Sequence, residues 1–513
     1  MLMKTERNCL EWTKYPVWIL YRYILHFIVP YLFFQIGCYS PTHKINPSGN
    51  IDLLREQIAS LAADPNLFNA QIGIYIESLP SGEIIYQQNE HKLFIPASNM
   101  KVFTTATALL KFGSKFKYRT EIYNDGKIEQ GVLRGNLIVK GRGDPTLAPR
   151  YYDGDVRKVF HAWVDSLQAC GIQEIRGNLI GDESYFQGEP LGTGWQWDYE
   201  PFWYAAQISA LTLNDNCIDV TVTPNDTIDR PPQISLMPPT RYVGIDNRAR
   251  TILADSVQTL FLTRPRLQNM LQVENEIPVN KPPYHESISV ENPALFFITV
   301  LAEVMTTRGI TIQGSLITQK QPDQIPYNTC QRIFTQYSPE LSEIIKVTNK
   351  VSQNLYTEQL LLTLAAEYGK KATASEGAAV VLDQMTSIGI PETEFLMVDG
   401  SGLSRNNLIT PYAISTLLRF MARHSNFGYF YESLPVAGVD GTLKGRMQKT
   451  VAENRVHAKT GFVGRVRNLS GYAYSADDEP IIFSILVNNY TVPTSAINLL
   501  QDRICVLLSN FKR

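Results

Sequence analysis

A pair of hairpins at opposite ends of the chain restricts the possible folds more than any other feature. On the N-terminal side Ile72, Ile74 and Ile76 alternate onto one face of a strand, Pro80-Ser81-Gly82 supplies a turn, and residues 84–86 begin the return strand. Toward the C-terminus, residues 468–474 and 481–487 read as strands around the turn Ala476-Asp477-Asp478-Glu479-Pro480. Helical spacing brackets both hairpins: residues 51–62 precede the first, and Ile497, Leu500, Ile504 and Leu507 form one stripe after the second. The strands of the two ends are therefore expected in one antiparallel sheet covered by helices, an α+β arrangement. Residues 117–326 have a different character. Short alternating stretches (132–139, 218–222, 251–253) are separated by Gly and Pro turns, and only 156–169 looks helical. This reads as a β-rich insertion of two subdomains, leaving 39–116 and 327–513 as the two parts of the interrupted domain.

The first hairpin leads through Phe94-Ile95-Pro96 into Ser98-Asn99-Met100-Lys101, at the start of a helix that runs over 102–110 and ends at Gly113. Side chains three apart on a helix are neighbours, about 5–6 Å apart, so Ser98 and Lys101 point the same way. Serine is a weak nucleophile at its free pKa, and a lysine can act as its base when burial or a neighbouring cation lowers the lysine pKa. Such a tetrapeptide is frequent by chance. Its meaning depends on the rest of the chain.

Composition removes several function classes. Forty-seven Lys and Arg against 49 Asp and Glu leave a net charge of -2, which offers no electrostatic footprint for nucleic acid. With 44% hydrophobic and 19% charged residues the chain is globular. The six cysteines contain no C-x-x-C pair and the seven histidines no H-x-x-x-H spacing, so neither a metal nor a cofactor is expected. Cys170, Cys217, Cys330 and Cys505 suit either disulfides or free thiols. Residues 1–38 stand apart: Lys4, Arg7 and Lys14 precede an apolar, aromatic run over 15–36 broken by Arg22, His26 and Gln35. This is the pattern of an export signal or a retained anchor. Gly37-Cys38 after the run resembles a bacterial lipoprotein cleavage site, with Gln35 where that pattern prefers an aliphatic residue. Each alternative puts the body of the protein outside the cytoplasm and limits membrane contact to this segment or a lipid on Cys38.

Two further stretches carry residue types that Ser98 chemistry requires. One is Lys350-Val351-Ser352-Gln353-Asn354, ahead of a helical run over 355–366. The other is His457-Ala458-Lys459-Thr460-Gly461, where Gly461 would allow a backbone to approach a ligand closely. S-x-x-K, S-x-N and K-T-G in this order form the signature of penicillin-recognising serine acyl-transferases. The surrounding text narrows the match: Val139-Lys140-Gly141-Arg142-Gly143-Asp144-Pro145-Thr146-Leu147, Ala210-Leu211-Thr212-Leu213-Asn214-Asp215-Asn216, Val398-Asp399-Gly400-Ser401-Gly402-Leu403-Ser404-Arg405 and Leu434-Pro435-Val436-Ala437-Gly438-Val439-Asp440-Gly441-Thr442-Leu443. With these the chain, from about Ile51 to its end, resembles the D-alanyl-D-alanine carboxypeptidase/endopeptidase family related to penicillin-binding protein 4. The long separation of Ser98 from Ser352 resembles that family's large insertion.

The resemblance implies a penicillin-binding-protein/β-lactamase-like transpeptidase domain, an antiparallel sheet flanked by helices, carrying the β-rich insertion. It implies that Ser98 attacks the peptide bond between two D-alanines and that Lys101 is the base, its pKa lowered by Lys459. Ser352 would relay a proton to the departing amine, and Asn354 would orient Lys101 and bond the substrate backbone. Lys459, Thr460, Gly461 and Phe462 would form the substrate-binding strand, with the oxyanion hole made by the backbone N–H groups of Ser98 and Phe462. The implied partners are peptidoglycan and muropeptide substrates, with β-lactam antibiotics as covalent inhibitors, in a bacterial cell envelope, in the periplasm. Gln353 departs from the family, which usually has Asp there. Two other readings stay open: a β-lactamase, against which the long insertion argues, and a catalytically weak peptidoglycan-binding protein, against which the intact serines, lysines and Asn354 argue.

Other residues take plainer readings. Asp144 before Pro145 reads as a turn former and Glu358 as a solvated or capping carboxylate. Ser401 and Ser404 read as shaping a Gly-rich turn, His457 as a strand residue without a catalytic role, and Trp195-Gln196-Trp197-Asp198-Tyr199 as packing of the insertion.

Overall fold

Five strands make the sheet that carries the site: β1 (Gln71–Ser78), β2 (Ile84–Gln88), β3 (Val456–Val463), β4 (Val466–Tyr474) and β5 (Pro480–Asn488). Their order is β2-β1-β5-β4-β3, antiparallel throughout, with Gln71 opposite Asn488 where the two chain ends meet. The computed structural model describes residues 51–513; the export or anchor segment and the Cys38 processing expected from the sequence lie outside the described residues. Six helices matter for the site: α1 (Ile51–Ala62), α2 (Met100–Phe112), α3 (Leu341–Lys350), α4 (Asn354–Tyr368), α5 (Pro411–Ala422) and α6 (Thr494–Asn510).

Side-chain alternation distributes the sheet between two cores. Ile72, Ile74, Ile76, Ile481, Phe483 and Ile485 pack with Leu54 and Ile58 of α1 and with Ile497, Leu500 and Ile504 of α6. Ile482, Leu486 and Tyr472 point the other way, to Phe103 of α2, Leu360 of α4 and Leu417 of α5. Burial on both faces explains why 481–487 is almost continuously apolar and not alternating. Helix α4 is buried around its whole circumference from Asn354 to Ala365, so it lies between the sheet domain and the insertion.

The insertion contains a five-stranded sheet ordered Leu316–Gln319, Leu179–Asp182, Leu137–Lys140, Arg119–Asn124 and Gln331–Tyr337. The last of these strands lies beyond residue 326, where the composition changes, and pairs antiparallel with Arg119–Asn124. Strand pairing across such a separation leaves no local trace in composition. The stretch 132–139 is two strands, Val132–Arg134 and Leu137–Lys140, in different sheets. The break falls at Gly135-Asn136, where Asn136 N and Nδ2 both donate to the Asp125 carboxylate. A second helix, Pro293–Thr307, escaped the periodicity reading because it is apolar nearly all round: nine of its residues, among them Phe296, Phe297 and Leu301, are buried. Helix Arg157–Ala169 falls where the sequence places one. Most apolar residues of the insertion join in one core, while Ala205 and Ile208 pack in smaller clusters shared with the sheet domain. Cys170, Cys217, Cys330 and Cys505 are free thiols, and among the described residues no helix is long and apolar enough to cross a membrane.

Candidate active site

Ser98 sits on a strained turn. Ala97–Asn99 is a single 3-10 turn feeding α2, and Ala97 is held at φ +46°, in the left-handed region. Non-glycine residues persist there only when their surroundings impose it, and such strain clusters at functional sites. Asn468 of β4 imposes it by donating to the carbonyls of Ile95 (3.0 Å) and Pro96 (2.7 Å), while Asn99 Nδ2 donates to Ser470 Oγ at 2.7 Å. Gly461 is needed for the same contact: a Cβ there would lie 2.6 Å from the Pro96 carbonyl oxygen. Its smallness brings β3 against the Ser98 turn, a demand additional to the close backbone approach expected from the sequence.

One turn along α2, Lys101 is wholly buried. Its Nζ donates to three acceptors: Ser98 Oγ at 2.9 Å, Asn354 Oδ1 at 2.6 Å and the Ser401 carbonyl at 2.7 Å. Burial lowers its pKa to about 7, against the opposing pull of Glu358 and Asp399. Burial is the first cause; Lys459, held well below its ordinary value by burial and then by Lys101 and Arg467, is in mutual repulsion with Lys101, close by as the sequence-based expectation had it.

Ser352 lies between α3 and α4 at φ +62°, a second strained serine-bearing turn. Lys459 Nζ donates to Ser352 Oγ at 2.9 Å and to the Thr460 carbonyl at 3.0 Å. The structure thus brings Ser98, Lys101, Ser352, Asn354, Lys459 and Thr460 into one array, with Ser98, Ser352, Asn354, Thr460 and Phe462 all lining one cleft of about 580 Å³. Further lining residues are unassigned by the motifs, among them Thr442, Tyr199 and Trp203. Thr442 pairs its hydroxyl with that of Thr460 at 2.7 Å, and Tyr199 and Trp203 of the insertion form the opposite wall. Thr442 stands in a stretch that resembles the family, which was the available signal; Tyr199 ends the aromatic stretch read from the sequence as packing, and Trp203 carried no signal beyond its residue type.

Gln353 has a clear role in this chain. Its side chain accepts from Leu355 N at the head of α4, and its Nε2 donates to Asp215 Oδ2 at 2.9 Å. Asp215 is also held by Arg150, through bonds of 2.8 and 2.5 Å, and Arg150 reaches Tyr356 OH at 2.6 Å. The plainer residues sort differently. Asp144 does form a turn, accepting from Thr146 N and Oγ1, but is buried, which lifts its pKa to about 6. His457 stacks on Tyr431 with ring centres 4.1 Å apart, and burial depresses it to about 4. Trp195 packs across to the cluster of Ala97, Leu403 and Val466 rather than only within the insertion, and donates to Asp399 Oδ2 at 2.8 Å, while Trp197 is exposed. Glu358 contradicts the solvated reading: it is 1% exposed and bonded to the loop beside Lys101. Helical spacing placed it near the right face, but its burial comes from the insertion and the 399–404 loop closing over α4.

A buried lysine beside a serine hydroxyl, with a second serine and lysine across the cleft, is an arrangement for acyl transfer through a serine ester. No group of three or more potential metal ligands exists among the described residues. The sequence profile of the D-Ala-D-Ala carboxypeptidase 3 (S13) family matches residues 54–510, and the chain belongs to that family. Among its relatives, a D-alanyl-D-alanine carboxypeptidase of Actinomadura sp. (strain R39) is 32% identical over 469 residues, 89% of this chain and 85% of that one. A D-alanyl-D-alanine carboxypeptidase of Haemophilus influenzae is 27% identical across 82% of this chain and 86% of that one. The crystal structure of penicillin binding protein 4 from Haemophilus influenzae superposes with a TM-score of 0.75 at 25% identity, covering 90% of this chain and 99% of that one. The fold is therefore the penicillin-binding, β-lactamase-like one expected from the sequence, and the enzyme class is a serine-type carboxypeptidase.

Proposed function

We propose that Ser98 is the nucleophile of a D-Ala-D-Ala carboxypeptidase acting on peptidoglycan stem peptides, and that on cross-linked dimers the same site acts as an endopeptidase. The observation that carries the mechanism is the bonding of Lys101. A neutral amine has two N–H bonds and one lone pair. Asn354 Oδ1 and the Ser401 carbonyl can only accept, so they take the two N–H bonds, and the lone pair is left facing Ser98 Oγ. With a pKa near 7 Lys101 is neutral in a large share of molecules at neutral pH.

Ser98 Oγ attacks the carbonyl carbon as its proton passes to Lys101 Nζ, and the backbone N–H groups of Ser98 and Phe462 receive the oxyanion. The C–N bond then breaks. Ser352 hands its hydroxyl proton to the departing amine and regains one as Lys101 gives up the proton it took from Ser98, which returns Lys101 to the neutral amine, while Lys459 Nζ donates to the Ser352 oxygen and holds it in place. Water takes the amine's place and hydrolyses the ester with Lys101 again as base. The terminal carboxylate of the substrate suits the Lys459, Thr460 and Thr442 end of the cleft, where charge-assisted bonds are available. β-Lactams would enter by the same attack and, lacking a leaving group that departs, remain as stable esters.

The natural place of such chemistry is the bacterial cell envelope, on the periplasmic side, with any membrane attachment through residues 1–38. Release of D-alanine from a pentapeptide tests the reading: parent protein releases it and Lys101→Ala falls by about 10²–10⁴-fold, the span of general-base contributions. Digesting purified peptidoglycan separates the two activities, because cleaved dimers report the endopeptidase and free D-alanine the carboxypeptidase. Release of D-alanine by Lys101→Ala at the parent rate would overturn the assignment of the base.

A further inference from the structure

Beneath the catalytic lysine lies a pair of wholly buried carboxylates that the mechanism above leaves unused. Glu358, one turn along α4 from Asn354, accepts Ser401 N at 2.8 Å on one oxygen and Gly400 N at 3.1 Å on the other. Asp399 accepts Gly402 N at 2.8 Å, Ser404 N at 2.6 Å, Asn407 Nδ2 at 2.7 Å and Trp195 Nε1 at 2.8 Å. Between them, the two carboxylates take four of the amide N–H groups in the 399–404 loop. Thr104 Oγ1 of α2 donates to the Gly400 carbonyl at 3.0 Å. The loop is thus bound from α4, from α2 and from the insertion, and its Ser401 carbonyl faces Lys101.

We propose that Glu358 is a positioning residue for the general base: by clasping Gly400 N and Ser401 N it fixes the Ser401 carbonyl that occupies one N–H of Lys101 and so aims the lysine lone pair at Ser98. The inference rests on the reading of Lys101 as base. Three features favour this role over simple loop packing. A buried carboxylate is costly unless its bonds are needed, and an amide or hydroxyl could cap one N–H without a charge. Both oxygens of Glu358 go to adjacent amides, which fixes the two peptide planes leading into Ser401, while Asp399 holds the Gly402 N–H that shares a plane with the Ser401 carbonyl. The same α4 also supplies Asn354 Oδ1, so both acceptors that orient Lys101 are referred to one helix.

The groups facing Glu358 are Asp399 from the loop and Lys101 from α2; Lys459 of β3 lies beyond Lys101. Burial and the Asp399 charge raise the Glu358 pKa, and its carboxylate in turn raises that of Lys101. Removal of the charge therefore moves the Lys101 titration to lower pH.

The test uses full-length protein and a fluorescent penicillin, with the acylation rate constant and pre-acylation affinity measured separately as a function of pH. Three variants are compared: Glu358→Gln, which keeps size and one acceptor; Glu358→Asp, which keeps the charge but shortens the reach; and Lys101→Ala. Misplacing a catalytic group by about 1 Å costs on the order of 10²-fold, so Glu358→Gln is expected to acylate about 10- to 100-fold more slowly with affinity unchanged. Its acid limb is expected below that of the parent, while Glu358→Asp recovers the position of the limb without recovering the full rate. If Glu358→Gln acylates at the parent rate, or loses rate and affinity together with an unmoved limb, Glu358 is a packing residue and the proposal fails. Acylation by Lys101→Ala at the parent rate identifies a different failure, that of the base itself.

Discussion

Lys101 shows how much chemistry one burial decision controls. An ammonium on an exposed helix would be useless as a base; burial lowers the pKa of the same group to about 7. The acylation rate constant should accordingly rise with pH on a limb centred near 7, because the lysine that keeps its proton has no lone pair; a flat profile between pH 5 and 8 would contradict this. The local motifs made Ser98, Lys101, Ser352, Asn354, Lys459 and Thr460 stand out in the sequence, since each motif lies within one short segment of turn and helix or of strand. Glu358 was illegible for the opposite reason. Its environment is made by segments far away in the chain, Trp195 and residues 399–404, and no window around position 358 contains them.

At the scale of elements, the site is a contact between turns. The Ser98 turn leans on β3 and β4, and the 399–404 loop leans on the Ser98 turn: Gly402 has φ +79°, and a Cβ there would lie 1.8 Å from the Ala97 carbonyl oxygen. Gly402→Ala should cost about 1–3 kcal/mol from overpacking alone and slow acylation as well, since Ala97 adjoins the nucleophile. Thermal unfolding and penicillin acylation check the two effects, and loss of stability with full acylation would separate the loop from the site. The hairpins at the two chain ends were readable because their turns and alternation are local. Helix Pro293–Thr307 and the strand Gln331–Tyr337 were not, the first because burial all round removes its stripe, the second because its partner strand lies some 200 residues earlier.

At the scale of the molecule, the insertion is a buttress for the helix that presents Asn354. Four contacts join it to the start and middle of α4: Asn354 Nδ2 donates to the Tyr204 carbonyl, Gln353 to Asp215, Arg150 to Tyr356 OH, and Gln359 to the Ser209 carbonyl and Thr212 Oγ1. Gln353, the departure from the family pattern, is one of the four, so this chain uses a neutral amide where a carboxylate would face Asp215. Asp215→Ala leaves Arg150 and the Gln353 amide without their acceptor and should lower stability by about 1–3 kcal/mol, with slower acylation because Ser352 and Asn354 lose their brace. Chemical denaturation with parallel acylation kinetics measures both, and an unchanged acylation rate would mean that the insertion does not brace the site. The central claim, that a serine ester forms at the head of α2, has a direct test in mass spectrometry of the chain after brief exposure to benzylpenicillin. A single penicilloyl adduct on the peptide that contains Ser98, absent from Ser98→Ala, is the predicted result; an adduct on any other residue, or one that persists in Ser98→Ala, would contradict it.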